Sequence, residues 1–431
     1  MTGSPAEAGD AADALGRLHL HRWTDRAVVA AAIIALASGF GQFGVVAALG
    51  DVSTQLGHVA SGGTIADKVG LSATSIGAGL AIIRLASLGS LPVIGYADRL
   101  GRRPVILWVT ILGLAVTAVA AASPGYWWFV AIFACGRPLL SASNALAGVM
   151  AAEETATSDR AAAIALIAAG YGIGAGISAI VHSLASSVLG FRGIFALAVA
   201  PLVVVVALRG WVEEPTRFMV AQAAGEHPTP VLGAVGPRYR GRLATLCLIA
   251  FAISVISGPA NSFVFLYAQD VVHLQGDVTA LMVVAGGASG LAGLLAGRWL
   301  SDHVGRRPTG SIAMIAVALT PTVAYSGSRV ALVGGYVLGV LAGAIFAPAL
   351  GALLTELFPT SVRASVTGWS VTAGVVGAVV GLIFFGAVAD VDNRFAVAAQ
   401  LTFLPAGAVA AILFWLVPET KGREPEALWP E

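Results

Sequence analysis

Charge is what this sequence has least of. Asp, Glu, Lys and Arg make up 11% of its 431 residues, against 57% that are hydrophobic, where an average soluble chain carries about 25% charged residues. That shortage excludes an ordinary water-soluble domain and calls for many membrane-spanning segments. Cysteine is nearly absent. Cys135 and Cys247 both fall inside apolar runs, so no disulfide framework is expected and the redox compartment stays unread. No nucleophile is matched to a base, and no His and carboxylate set has metal-ligand spacing, which argues against a membrane-embedded hydrolase. No metal, organic cofactor or nucleic-acid partner is expected. Acidic residues are also missing from the middle of every long apolar run.

The charge that is present sits in islands, and the islands repeat. Asp98 to Pro104 reads Asp-Arg-Leu-Gly-Arg-Arg-Pro, and Asp302 to Pro308 reads Asp-His-Val-Gly-Arg-Arg-Pro, an offset of 302 − 98 = 204 residues. Glu153, Thr157, Ser158, Arg160 and Ala161 find Glu356, Thr360, Ser361, Arg363 and Ala364 at an offset of 203. Val212 to Thr216 likewise matches Val417 to Thr420. Three matched loops in one order imply two related halves, as in many secondary transporters.

Residues 1–26 are polar and are expected to form a cytoplasmic tail; the run from Ala27 to Leu49 is long enough to span uncleaved, since roughly 20 residues are needed. Further spans are predicted at Ser72 to Ile94, Val105 to Ala121, Trp127 to Met150, Ala161 to Leu184 and Ile194 to Val212. After a polar linker, residues 213–242, come Leu243 to Tyr267, Val278 to Gly297, Thr309 to Tyr325, Val330 to Leu354, Val366 to Ala389 and Phe395 to Val417, then a tail, 418–431. The expected fold is an all-α membrane protein of twelve transmembrane helices, built as two pseudo-symmetric six-helix bundles, 27–212 and 243–417.

Basic residues orient it. With a cytoplasmic N-terminus, 18 of the 24 fall on the cytoplasmic side; Lys68, Arg192, Arg329 and Arg394 fall on the other; Arg84 and Arg137 lie inside spans. This bias predicts that both termini are cytoplasmic; the expected location is the plasma membrane.

The repeated loop resembles the signature Gly-x-x-x-Asp-Arg-x-Gly-Arg-Arg of the major facilitator superfamily, carried here by Asp98, Arg99, Gly101, Arg102 and Arg103, and by Asp302, Gly305, Arg306 and Arg307. The leading glycine is displaced by one residue, to Gly95 and Gly297. Pro418 to Arg423 and Glu356 to Arg363 are similar to the sugar-porter and metabolite:proton symporter branches. The resemblance covers essentially the whole chain and implies the major facilitator fold. It also implies a cytoplasmic gate made of Asp98, Arg102, Arg103, Glu153 and Arg160 in one half and Asp302, Arg306, Arg307, Glu356 and Arg363 in the other. Plain topology signalling would explain the arginines of that set but not its carboxylates. Glycines four apart at Gly170/Gly174, Gly172/Gly176, Gly286/Gly290, Gly293/Gly297 and Gly377/Gly381 let helices approach closely; they lie on spans 5, 8 and 11, which in the resembled family pack where the halves meet.

Two arginines carry most of the functional information. Arg84 is ten residues from Ile94, roughly 15 Å at 1.5 Å per residue, which is near mid-membrane. A charge there is expected to face a water-filled cavity and mark a solute pathway. Arg137 in span 4 resembles the family's buried arginine of that helix. With no acidic residue at that depth, an anionic substrate could neutralise both. Gln42, Asn144, Tyr171, Asn261, Tyr267 and Trp369 are further candidates to line the cavity. In symporters of the resembled kind the first helix carries Asp-Gly-x-Asp; here it reads Ser38-Gly39-Phe40-Gly41, so Asp51 and Asp270 are the nearest substitutes for coupling, and His182 reads as interfacial. The chain is thus expected to be a monomeric secondary transporter that moves a small organic anion or metabolite by alternating access, with proton coupling open. A multidrug or sugar transporter of the same fold, or a membrane sensor, are the alternatives.

Overall fold

The computed structural model describes residues 22–57, 70–155, 159–216, 218–219, 232–391, 394–423 and 429. Most of the expected N-terminal tail, Lys68, Arg217 and residues 220–231 of the linker lie outside the described set.

In lipid, backbone N–H and C=O groups must pair within their own segment, so a chain this apolar is driven to helices. The first half comprises α1 (Arg26–Ala47), α2 (Ala73–Leu100), α3 (Arg102–Ala122) and α4 (Tyr126–Glu154). A continuous helical stretch, Arg160–Ala196, follows; Gly190, with φ 55° and ψ −174°, breaks it, so α5 is 160–189 and α6 is 191–210, including the apolar stretch Val199–Gly210. The second half comprises α7 (Pro237–Val271), α8 (Gly276–His303), α9 (Arg306–Ala324), α10 (Arg329–Glu356), α11 (Thr360–Ala389) and α12 (Phe395–Leu416). Ten of these stretches are long and apolar enough to cross a membrane, and the shorter α6 and the more polar α9 complete the twelve. The chain is an all-α, multi-pass membrane protein of two related six-helix bundles.

Glycine sets the signature turns. Gly101 has φ 99° and Gly305 φ 124°, a region that side chains avoid, and each turns the chain at once from one helix into the next. These turns lie on one side of the membrane, hereafter the charged face; the opposite side is the far face.

The glycine pairs pack helices, but within each half. A Cβ at Gly170 or Gly174 of α5 would collide with the carbonyls of Ala32 or Leu36 on α1. Gly377 and Gly381 of α11 stand in the same relation to Phe251 and Val255 on α7, and Gly293 and Gly297 of α8 to Leu341 and Ile345 on α10. Spans 5, 8 and 11 do pack where the halves meet, but most of these glycines face partners in their own half. Of those glycines, Gly176 looks across the seam, to Val283. Close backbone contacts at the seam use other glycines: Gly77 against the Leu382 carbonyl, Gly386 against that of Ala73, and Gly276 against that of Ser183. Spacing alone marked the close approaches without naming the partner helix.

At the far-face end of the seam a carboxylate joins the halves. Asp390, just beyond α11, accepts from the Ala73 N–H at 3.1 Å and from the Thr74 hydroxyl at 2.9 Å. It thereby satisfies an unpaired donor at the N-terminus of α2, where the helix dipole favours negative charge.

Candidate functional site

Between the halves, a cavity of about 350 Å³ is lined by Arg84 on one side and by Ser254, Ser257, Thr367, Ser370 and Gly374 among others on the other. The two sides differ chemically. The first half contributes a guanidinium, and the second hydroxyls from α7 and α11 set among apolar side chains that include Leu350 and Leu354 of α10. A second cavity of about 350 Å³ inside the second half shares Ile253 and Ser257 with the first and includes Asn261, Tyr325 and Tyr336.

Arg84 sits one turn before the 3-10 turn Ser87–Gly89 that interrupts α2, and the Ser87 hydroxyl donates to the Arg84 carbonyl at 2.6 Å. Arg137 lies on α4 and is buried; its Nη1 donates to the Gln42 carbonyl of α1 at 3.3 Å, while its Nε has no hydrogen-bond partner among the described residues. Arg84, Arg137 and Tyr171 are within electrostatic reach of one another. Neither arginine has an ion-pair partner among the described residues. Two neighbouring guanidinium groups thus lie within the spans without a carboxylate counter-ion among the described residues.

The other expected site residues divide. Asn144 stands two turns from Arg137 on the same face of α4, with a buried Oδ1 that has no partner among the described residues. Asn261 lines the second cavity, and its amide donates to the Ser257 carbonyl at 3.0 Å. Gln42 is buried and engaged: its amide donates to Ser38 at 2.8 Å and its oxygen accepts from Ser141 at 3.4 Å. Tyr267 is not at the cavity. It is buried at the far-face end of α7, donates to the Tyr325 carbonyl at 3.0 Å, and packs on the rings of Tyr325 and Phe395. Trp369 is also elsewhere; its indole donates to the Gly233 carbonyl at 3.2 Å and ties the linker to α11. Polar or aromatic identity in a span does not reveal whether a side chain points at solvent or at a neighbouring carbonyl. The hydroxyl wall was missed. Its one sequence signal is the pair Ser254 and Ser257, three apart and so on one face of α7.

The charged-face residues form two copies of one device. Arg102 pairs with Asp98 at 3.2 Å and Glu153 at 2.5 Å; Arg306 pairs with Asp302 at 3.3 Å and Glu356 at 3.1 Å. All these pairs close within a half. The backbone N–H groups of Arg102 and Arg103 donate to Glu214, at 2.5 and 3.1 Å, and those of Arg306 and Arg307 to Glu419, at 3.0 Å each. Each glutamate thus clamps a helix N-terminus. The Arg307 side chain donates to the Trp415 carbonyl and lies over that ring, and Arg363 Nε donates to the Phe358 carbonyl at 3.0 Å. Arg160 opens α5. Partial burial pushes the Glu419 carboxyl up, but the N–H groups of Arg307, Lys421, Arg306 and Thr420 together hold it below the usual carboxylate range.

The internal repeat, the two bundles, the paired signature turns and the central cavity describe one architecture. A sequence profile of the Major Facilitator Superfamily matches residues 31–299 and 276–430. The chain belongs to the Major Facilitator Superfamily. It is a secondary transporter of small solutes. It is 25% identical over 343 residues to a putative metabolite transport protein of Haemophilus influenzae, covering 76% of this chain and 82% of that one. It is 25% identical over 362 residues to the gallate transporter of Pseudomonas putida, covering 75% of this chain and 79% of that one. The crystal structure of a D-xylose-proton symporter superimposes with a TM-score of 0.71 at 19% identity, covering 93% of this chain and 99% of that one.

Proposed function

We propose that this superfamily member carries a small organic carboxylate across the plasma membrane, with the charged face and both termini in the cytoplasm. The observation that carries the substrate class is the pair Arg84 and Arg137, close together at mid-depth with no carboxylate partner among the described residues. A relative named for gallate, an aromatic carboxylate, supports the same class. The orientation rests on the positive-inside bias. The ion-pair clusters of the charged face would then serve the cytoplasmic gate by bracing, within each half, the helix ends that part there, in a protein that works as a monomer and does no chemistry on its solute.

The hydroxyl wall opposite Arg84 favours a second reading, a neutral polyhydroxy solute such as a sugar. One experiment separates them. The purified protein and an Arg84→Ala variant are melted against carboxylates, sugars and hydrophobic cations. A ligand at 100 times its Kd adds about 2.7 kcal/mol to apparent stability. Carboxylates are expected to raise the melting temperature of the wild type and not of the variant. Equal stabilisation of both proteins by sugars would replace the anion reading with the sugar one.

A further inference from the structure

Toward the far face, three titratable side chains from three segments and both halves converge. Asp51 lies on the short helix Leu49–Leu56 that follows α1, His182 on α5, and Asp270 in the π-helical turn Tyr267–Val271 that ends α7. His182 Nε2 and Asp51 Oδ2 are 2.9 Å apart. The imidazole is 1% exposed, and its Nδ1 has no hydrogen-bond partner among the described residues. Asp270 reaches this pair across the seam, over Gly50, where a Cβ would collide with its Oδ2. That oxygen is shielded from solvent and also lacks a donor among the described residues. Asp270 is within electrostatic reach of Asp51, His182 and His273. The other charged groups nearby face away: Arg329 of α10 donates to the His273 carbonyl at 3.4 Å, and Asp277 of α8 is exposed, accepting from the N–H of its neighbour Val278 at 2.8 Å.

We propose that Asp51, His182 and Asp270 form a proton-binding site assembled when the two bundles close at the outer end and dismantled when they part there. Protons from the outer medium and closure of the outer gate then favour each other. The step is a proton transfer with no other reactant: a proton leaves solvent water, bonds a carboxylate oxygen of the cluster as the gap closes, and returns to water when the gap opens. The reason is charge. His273 is exposed and lies outside the trio; within it, two carboxylates around one imidazole carry a net charge of −1 even when the imidazole is protonated, and burial with like charge favours the uncharged form of a carboxyl group. One more proton neutralises the cluster and supplies the donor that the buried Asp270 oxygen lacks. In the open state Asp270 moves away from Asp51 with the second bundle and is solvated, so the extra proton is no longer held.

This rests on the orientation proposed above and on alternating access, not on the substrate. The test therefore uses protons alone. Val188, at the far end of α5, and Val330, at the far end of α10, are strongly exposed. Spin labels are placed on the full-length protein as Val188→Cys and Val330→Cys, with Cys135 and Cys247 replaced by serine, and the distance distribution is read in proteoliposomes from pH 8 to pH 5 without solute. One linked proton allows the ratio of closed to open to rise at most tenfold per pH unit. The wild type is expected to close as pH falls, and Asp270→Asn to hold a ratio that no longer depends on pH. Asp390→Ala, at the same seam but outside the cluster, should shift the ratio while keeping the slope. A slope unchanged in Asp270→Asn, or a wild-type ratio that does not respond to pH, overturns the proposal. Solute-induced melting shifts are independent of both results, so failure here and failure of the anion reading are distinguishable.

Discussion

The two membrane faces use carboxylates in opposite ways. On the charged face, Asp98 and Glu153 close on Arg102, Asp302 and Glu356 close on Arg306, and Glu214 and Glu419 clamp helix N-termini, each within one half. On the far face, Asp390 bridges α11 to α2 and Asp270 reaches across to Asp51 and His182. Carboxylates of the first kind hold the shape of a bundle; those of the second are aligned with the relative position of two bundles. A transporter that rocks needs both: rigid bodies, and a seam whose contacts can be made and broken. The comparison therefore sorts substitutions by what they disturb, the stability of a half or the balance between states.

The largest effect should come from a charged-face arginine. Arg102 is mostly buried and holds two carboxylates. Removing one partner of a buried pair leaves uncompensated charge and costs about 3 kcal/mol. Arg102→Ala is expected to lower the melting temperature in detergent by several degrees, and Arg306→Ala to do the same in the other half. A variant that melts like the wild type but shows an altered outer distance would break the division between the faces.

That division could be read from the sequence only in part. The repeat at an offset of 204 gave the two halves, because Gly-Arg-Arg needs a positive-φ glycine followed by helix N-H groups, and both copies supply them. The apolar runs gave twelve spans for a similar reason: lipid leaves the backbone few choices. Partner identity was hidden. Nothing near Glu214 in the chain says that it caps α3, which starts 112 residues earlier. His182 read as an interfacial residue because its partner Asp51 is distant in sequence and becomes a neighbour only through α1 packing on α5. Tyr267 and Trp369 failed as cavity residues because a polar tip on a membrane helix is as well satisfied by a neighbour's carbonyl as by a solute.

A smaller effect is expected at the seam. Asp390→Ala removes two acceptor bonds to α2, one of them to a helix N-terminus. Net contributions of about 1.4 kcal/mol for such bonds correspond to a tenfold shift toward the state open at the far face. Spin-label distances should report it, with little change in the melting temperature of the unliganded protein. A large loss of stability instead would place Asp390 with the charged-face carboxylates, among the groups that hold a half together.

The smallest effect near neutral pH, and the sharpest contrast, concerns acid. Glu419 is held below the usual carboxylate range by four backbone N–H groups despite its partial burial. Its clamp on α9 therefore stabilises fully above its unfolded value of about 4.3, and the contribution is lost as pH falls through the lower folded value. Between pH 8 and pH 5 the clamp should be silent. Below about pH 4.5 the wild type should lose more of its melting temperature than Glu419→Gln, which has no charge to lose. The far-face cluster runs the other way, gaining a proton as it closes. Acidification is thus expected first to draw the outer seam together and only later to loosen the charged-face clamp. Two midpoints in opposite senses, read by distance and by melting, would separate the faces in one titration; coincident midpoints would merge them.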